Sequence, residues 1–165
     1  MRASLIFVAG ALIGGAAVGA FAQGQHSSPN TGVVGINHVA LAVPDIEKAV
    51  TFYTKTMGFP EAFRVKNDKG EIQLVYVQVS KDTFIEIQKA NEQRPAGIYH
   101  FGIHVDNVRT AADMWKKRGA DVQAINTGSP TKAILSNIVD PNGVRMELVE
   151  LPPESLHAQA TARWK

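Results

Sequence analysis

Cysteine is absent from all 165 residues. That excludes disulfides, thiolate metal ligands and a cysteine nucleophile, and it suits an oxidising compartment. Excess charge of one sign is absent too. Lys and Arg number 17 against 15 Asp and Glu, so composition gives no argument for nucleic acid or an anionic membrane surface as partner. Long apolar runs are missing from nearly the whole chain. The one example is Leu5 to Ala20, behind the short positive start Met1-Arg2 and ahead of the small-x-small site Ala20-Phe21-Ala22. That order has the layout of a secretory signal peptide. Residues 1–22 are therefore expected to be cleaved, which would make the protein periplasmic or secreted. The competing reading is a retained anchor, which would bring a membrane contact, but the Gly and Ala content makes the run weakly hydrophobic for that role. Gly10, Gly14, Gly15 and Gly19 belong to this segment, so they are not read as a phosphate loop.

Removing residues 1–22 leaves 143, the size of one ordinary domain. Residues 23–34 are polar and rich in Gly, Ser, Pro and Asn, and read as a flexible leader. Periodic sequence runs from Gly35 to Leu151. Pro152-Pro153 then stops the last strand, and residues 152–165 form a polar tail with a short helix through Leu156.

Within 35–151 lies an internal repeat. Ile36 to Lys55 (INHVALAVPDIEKAVTFYTK) aligns without a gap on Ile98 to Lys117 (IYHFGIHVDNVRTAADMWKK), an offset of 62 residues. His38 meets His100, Val43 meets Val105, Ala49 meets Ala111 and Tyr53 meets Trp115. The ends match as well: Phe84-Ile85-Glu86-Ile87 lies over Arg145-Met146-Glu147-Leu148 with one residue of slack, so Glu86 meets Glu147. Each copy reads as βαβββ, the first over 35–90 and the second over 97–151. The first strands are Ile36–Val43 and Ile98–Val105. Asp45 and Asn107 cap the helices, whose apolar residues recur at helical spacing. Further strands are expected at Ala62–Val65, Ile72–Val79 and Phe84–Gln88, then at Asp121–Ile125, Ala133–Val139 and Val144–Glu150. The fold class is α+β, with the two modules forming a curved mixed sheet.

Side chains on a strand face opposite sides in turn. Val39, Leu41 and Val43 therefore share one face, and His38, Ala40 and Ala42 the other. In the second copy Phe101, Ile103 and Val105 oppose His100, Gly102 and His104. Bulky faces suit packing on the helices, whereas a histidine among small residues has open space beside its ring. Glu86 and Glu147 each sit in the middle of an apolar strand, where an unpaired carboxylate costs several kcal/mol or stays protonated. One divalent transition ion (Zn, Ni, Mn, Co or Fe) shared by His38, Glu86, His100 and Glu147 removes that problem and leaves positions for water or substrate. His104 is a lining residue of the same cup. His26 and His157 lie in polar termini and are expected to be solvated.

The segments INHVALAVPDIEKAVTFYTKTMGF, TFIEI, YHFGIHVDNV and DPNGVRMELVE resemble the vicinal oxygen chelate superfamily. That superfamily includes glyoxalase I, extradiol dioxygenases, methylmalonyl-CoA epimerase, and fosfomycin and bleomycin resistance proteins. The likeness covers about residues 35–151. It implies two βαβββ modules around a metal that takes a small substrate with vicinal oxygens, and it implies His38, Glu86, His100 and Glu147 as ligands. The His, Glu, His, Glu order looks most like glyoxalase I. By that likeness a proton is removed beside a carbonyl, an enediolate is held, and the proton returns at the neighbouring carbon, with Glu147 and Glu86 as the bases. Arg64 is a candidate to meet an anionic substrate, or else is a solvated edge arginine. Export away from a glutathione pool and the lack of a glutathione-binding constellation leave two other readings open. One is an iron dioxygenase using His38, His100 and Glu147, against which the extra Glu86 argues. The other is a non-catalytic binding or resistance protein. The family also implies a homodimer.

Overall fold

The computed structural model describes residues 31–165. The expected signal peptide and most of the leader lie outside the described residues. The elements run β1 (Val33–Val43), α1 (Ile46–Thr51) continued by a π-helical turn (Phe52–Thr56), β2 (Glu61–Lys66), β3 (Ile72–Ser80) and β4 (Thr83–Lys89). The second half runs β5 (Gly97–Val105), α2 (Val108–Lys117), β6 (Ile134–Val139), β7 (Arg145–Glu150) and α3 (Leu156–Arg163). Both module helices start where a side-chain oxygen can accept a free amide: Asp45 accepts from Lys48 N at 3.0 Å and Asn107 from Thr110 N at 2.9 Å.

The strands form one mixed sheet in the order β2-β3-β4-β1-β5-β7-β6. Within each module the first strand pairs in parallel with the last, β1 with β4 and β5 with β7. The modules join edge to edge through the antiparallel β1–β5 pair, in which His38 faces Gly102 and Ala40 faces His100. Both halves of the cup therefore come from a single chain, a point on which the sequence is silent.

Alternation separates two faces as expected. Val43, Val75, Val77, Ile85 and Ile87 pack under Ile46 and Val50 of α1. Ile103, Val105, Ile138, Met146 and Leu148 pack under Val108, Ala111 and Ala112 of α2. The opposite face carries His38, Tyr76, Glu86, His100 and Glu147, all buried.

Three local expectations are corrected. Val33 and Val34, assigned to the leader, already belong to β1. Asp121–Ile125 is not a strand but a loop touching β6 at two isolated bridges, Val122 with Ile138 and Asn126 with Leu135. The tail forms the short helix expected through Leu156, but that helix is docked on the cup rather than being a polar end. Ser155 caps α3, accepting from Ala158 N at 3.2 Å. The helix is tied at one end by Leu156 N to Thr131 O at 2.9 Å and near the other by Thr161 Oγ1 to Lys81 O at 3.0 Å. It crosses the cup face from a loop of the second module to a turn of the first.

Candidate metal centre

Equivalent strands of the two modules deliver the four predicted side chains to one point. Ligand atoms of His38, Glu86, His100 and Glu147 all lie within 4.8 Å of one another. Nε2 of His38 is 3.0 Å from Nε2 of His100, 3.3 Å from Oε2 of Glu86 and 3.5 Å from Oε2 of Glu147. Nε2 of His100 is 3.5 Å from Oε2 of Glu86 and 3.9 Å from Oε2 of Glu147. Donors about 2.1 Å from a transition ion stand about 3 Å apart at right angles and about 3.4 Å apart in a tetrahedron. The donor set and its spacing thus fit a divalent cation.

The strand geometry prepares His38 in two ways. A β-bulge between Ile36 and His38 makes Asn37 the extra residue of β1. Asn37 is buried at 1 % exposure, and its Oδ1 sits 2.9 Å from Nδ1 of His38. The amide oxygen accepts the Nδ1 hydrogen, which leaves the Nε2 lone pair pointing at the other donors. Across the strand pair, Gly102 makes room for the ring. A Cβ at that position would stand 2.3 Å from Cε1 and 2.5 Å from Nδ1 of His38.

The two carboxylates differ. Glu86 accepts from the Tyr76 hydroxyl at 2.8 Å and from the side-chain amide of Gln88. Burial alone would raise its pKa, but its contacts with His100, His38 and Gln88 outweigh that and hold it down at about 2. Glu147 has weaker support. Burial, and then the charge of Glu86, push it up to about 7, with only partial relief from Arg145, whose Nη1 is 3.9 Å away. Desolvation keeps His38 neutral, its pKa lowered to about 4. Burial and the Glu86 charge hold the Tyr76 phenol well above its ordinary value, so it remains a donor.

Glu86, His100 and Glu147 open onto a cavity of about 230 Å³ that is also lined by Gln88, Arg94, Tyr99, Thr131, Arg145 and His157. Arg94 and Arg145 both approach the Tyr99 ring, at 5.5 and 4.6 Å from its centroid. Arg145 also donates to Nδ1 of His100.

Three expectations for other residues do not hold. Arg64 is not at the cavity and follows the alternative reading: it lies on the edge strand β2, bonded to Glu61 at 2.6 and 2.7 Å and to Glu47 at 2.8 Å. These carboxylates satisfy it locally. His104 lies beyond α3, half-buried beside Ala158 and Thr161, not in the cavity that holds His100. His157 is not solvated. It is 1 % exposed, because α3 folds over the cup and carries it inward, and desolvation lowers its pKa to about 3. Asn37, Tyr76, Arg94, Tyr99 and Arg145 were not singled out from the sequence. The Pro-Pro-Glu-Ser helix start ahead of His157 was the available signal for α3.

A family model described as the Glyoxalase/Bleomycin resistance protein/Dioxygenase superfamily matches residues 35–148. Mitochondrial methylmalonyl-CoA epimerase of Mus musculus is 31 % identical over 107 residues, covering 58 % of this chain and 60 % of that enzyme. The chain thus spans about three fifths of that relative's length. Lactoylglutathione lyase of Escherichia coli O157:H7 is 24 % identical over 123 residues, covering 68 % of this chain and 90 % of that enzyme. The crystal structure of methylmalonyl-CoA epimerase from Mycobacterium tuberculosis superposes with a TM-score of 0.67 at 22 % identity, over 78 % of this chain and 95 % of that one. At that identity the likeness concerns the fold.

Proposed function

The chain belongs to the Glyoxalase/Bleomycin resistance protein/Dioxygenase superfamily, and within it we propose a metal-dependent isomerase or lyase that moves a proton next to a carbonyl of a small anionic substrate. One observation carries the reading. Two imidazoles and two carboxylates meet within 4.8 Å, beside a cavity that Arg94 and Arg145 also line.

His38, Glu86, His100 and Glu147 would hold a divalent cation. When bound there, such an ion draws electrons from the substrate's carbonyl oxygen and stabilises charge that develops on it. The chain's own residues do the rest. Glu147 is the base: it has the looser hydrogen bonding of the two carboxylates, so it is the one free to take up and release a proton. It takes the proton from the carbon beside the carbonyl and returns it at the neighbouring carbon. Glu86, tied to Tyr76 and Gln88, is the fixed carboxylate. Two guanidiniums favour a carboxylate on the substrate. At roughly 30 Å³ per water in the liquid, the cavity of about 230 Å³ equals about eight waters, room for a hydroxy or keto acid.

The relatives named as an epimerase and a lyase support the same class of proton transfer. A ferrous dioxygenase centre uses two histidines, one carboxylate and three open positions, and Glu86 inside the donor group argues against it. A homodimer belongs to the proposal, although β1–β5 pairing already completes the cup in one chain.

The test is hydrogen exchange at carbon. The metal-loaded protein is incubated in heavy water with 2-hydroxy acids, 2-oxo acids and hemithioacetals, and loss of the proton beside the carbonyl is followed by NMR. Exchange in the parent protein that disappears in Glu147→Gln, with about one metal per chain lost in His38→Ala and His100→Ala, is the expected result. Iron content with oxygen uptake would turn the reading to a dioxygenase. Tight uptake of a ligand without exchange would turn it to a binding protein.

A further inference from the structure

The duplicated modules account for the four donors, but one wall of the cavity comes from outside the repeat. His157 lies on the first turn of α3, whose start is fixed by the Ser155 cap and by the bond from Leu156 N to Thr131 O. Its imidazole is ringed by Phe63, Tyr76 and Phe84. All three lie edge-on to it, with centroids at 4.9, 4.5 and 5.3 Å. Such a box suits an apolar ring. Yet both Nδ1 and Nε2 are buried without a hydrogen-bond partner among the described residues, although a neutral imidazole carries one donor and one acceptor. Buried polar groups in native proteins are nearly always paired, and those that are not mark strain or function. His157 is not part of the four-donor group, and its centroid is 6.4 Å from that of His38. It does line the cavity that holds Glu86, His100, Glu147, Arg94 and Arg145.

We propose that His157 is a substrate-binding residue, supplied by the C-terminal helix, that hydrogen-bonds a hydroxyl or carbonyl oxygen of the acid whose carboxylate Arg94 and Arg145 receive. The proposal rests on reading this cavity as the substrate site. It narrows the substrate to acids with a further oxygen placed to meet the ring. It also gives one of the two unpaired ring nitrogens its partner when the ligand enters.

Because the natural substrate is unidentified, the probes are malate and succinate, two diacids that differ by one hydroxyl. They are titrated calorimetrically into the full chain with Zn²⁺ bound, where Arg145 is free to take a carboxylate, and again after chelation, so that the preference is also read independently of metal binding. Parent protein should bind malate about tenfold more tightly than succinate, the worth of one hydrogen bond. His157→Phe should bind the two alike, and His157→Asn, which keeps a donor and an acceptor, should restore part of the preference. In the same samples His157→Phe should melt above the parent, because it removes an unsatisfied polar group from an aromatic box; His157→Leu guards against overpacking by the larger ring. A parent that binds neither acid or fails to discriminate between them overturns the proposal, as do apolar variants that keep the preference or both melt below the parent. Loss of metal binding in the His38 and His100 variants is a separate readout, so failure of the metal reading would leave this result standing.

Discussion

Arg145 donates through Nη2 to Nδ1 of His100, whereas Nδ1 of His38 faces the side-chain oxygen of Asn37. The two otherwise equivalent histidines are thus oriented by opposite kinds of partner. A guanidinium can only donate, so Nδ1 of His100 accepts and its hydrogen sits on Nε2. If His100 held a cation through Nε2, its hydrogen would sit on Nδ1 facing a donor, and Arg145 would have to turn from His100 and would be free for a substrate carboxylate. Arg145→Gln removes the opposing charge and the donor conflict together. It should tighten Zn²⁺ binding about tenfold, the low end of effects at such outer partners, in a chelator-competition titration. Unchanged or weaker binding would show that Arg145 does not oppose the cation.

The contact between Gly102 and His38 gives a steric test. A methyl group at Gly102 overlaps the fully buried imidazole, which has no free space to move into. Gly102→Ala should cost about 1–3 kcal/mol through overpacking and should lower metal content in elemental analysis. Gly35→Ala on the neighbouring strand is the control, since nothing lies within 4 Å of a Cβ there. Equal melting temperatures for the two variants would refute the close fit.

The ionisation of Glu147 predicts a stability effect whose sign depends on metal. In metal-free protein its pKa is raised from 4.5 to about 7. Between these values the unfolded chain has already lost a proton that the folded chain keeps, so this group's contribution is present at low pH and is lost as pH rises from 4.5 to 7. Glu147→Gln removes that loss. Relative to the parent it should gain up to about 3 kcal/mol over this window and then level off, a shift of one unit being worth about 1.4 kcal/mol. His38 and His157 act in the opposite sense. Their pKa values are depressed from 6.5 to about 4 and about 3, so their contribution is complete above 6.5 and is lost as the medium is acidified. With metal bound, Glu147→Gln should destabilise instead, because a ligand is gone. Chemical denaturation at pH 5 and pH 7.5, with and without Zn²⁺, checks both signs.

The pairing of His38 with His100 and of Glu86 with Glu147 was legible because duplication places equal chemistry at equal register. Strand alternation then fixed the shared face. What escaped the sequence came from outside the repeat or from irregular backbone. Asn37 reaches His38 only through a bulge, which period-two reading cannot see. Arg94 depends on the path of the connector between modules, and Tyr99 is the extra residue at a second bulge of the β1–β5 pair. His157 was assigned to solvent because α3 has eight residues and buries small ones such as Ala160, so it carries little hydrophobic periodicity. Arg64 illustrates the converse: a plausible charge was claimed by Glu47 and Glu61 nearby.

Export is proposed from residues 1–22, which lie outside the described structure. Expressed with its own N-terminus in a bacterium, the chain should appear in the periplasm or medium with Gln23 as its first residue by mass spectrometry. Deleting residues 1–22 should leave metal content unchanged, because β1 starts at Val33 and all four donors follow it. An uncleaved chain in the membrane fraction would support the anchor reading instead.

Arg94 offers a way to separate anion recognition from metal binding. It approaches the Tyr99 ring at 5.5 Å and bonds through Nε to Lys89 O at 3.1 Å, so the connector between the modules holds it in position. Among the described residues, none of its hydrogen bonds reaches the four donors. Arg94→Gln should therefore retain metal stoichiometry and stability. It should weaken carboxylate ligands about tenfold, the loss of one charge-assisted hydrogen bond. Raising the salt concentration should weaken binding less in this variant than in the parent, since part of the screened attraction has gone. Arg145→Gln should weaken the same ligands while tightening the metal, an opposite pair of effects that no general destabilisation produces. If Arg94→Gln instead loses metal and carboxylate affinity in parallel, the mouth and the metal centre are one structural unit, and the assignment of the arginines to substrate fails.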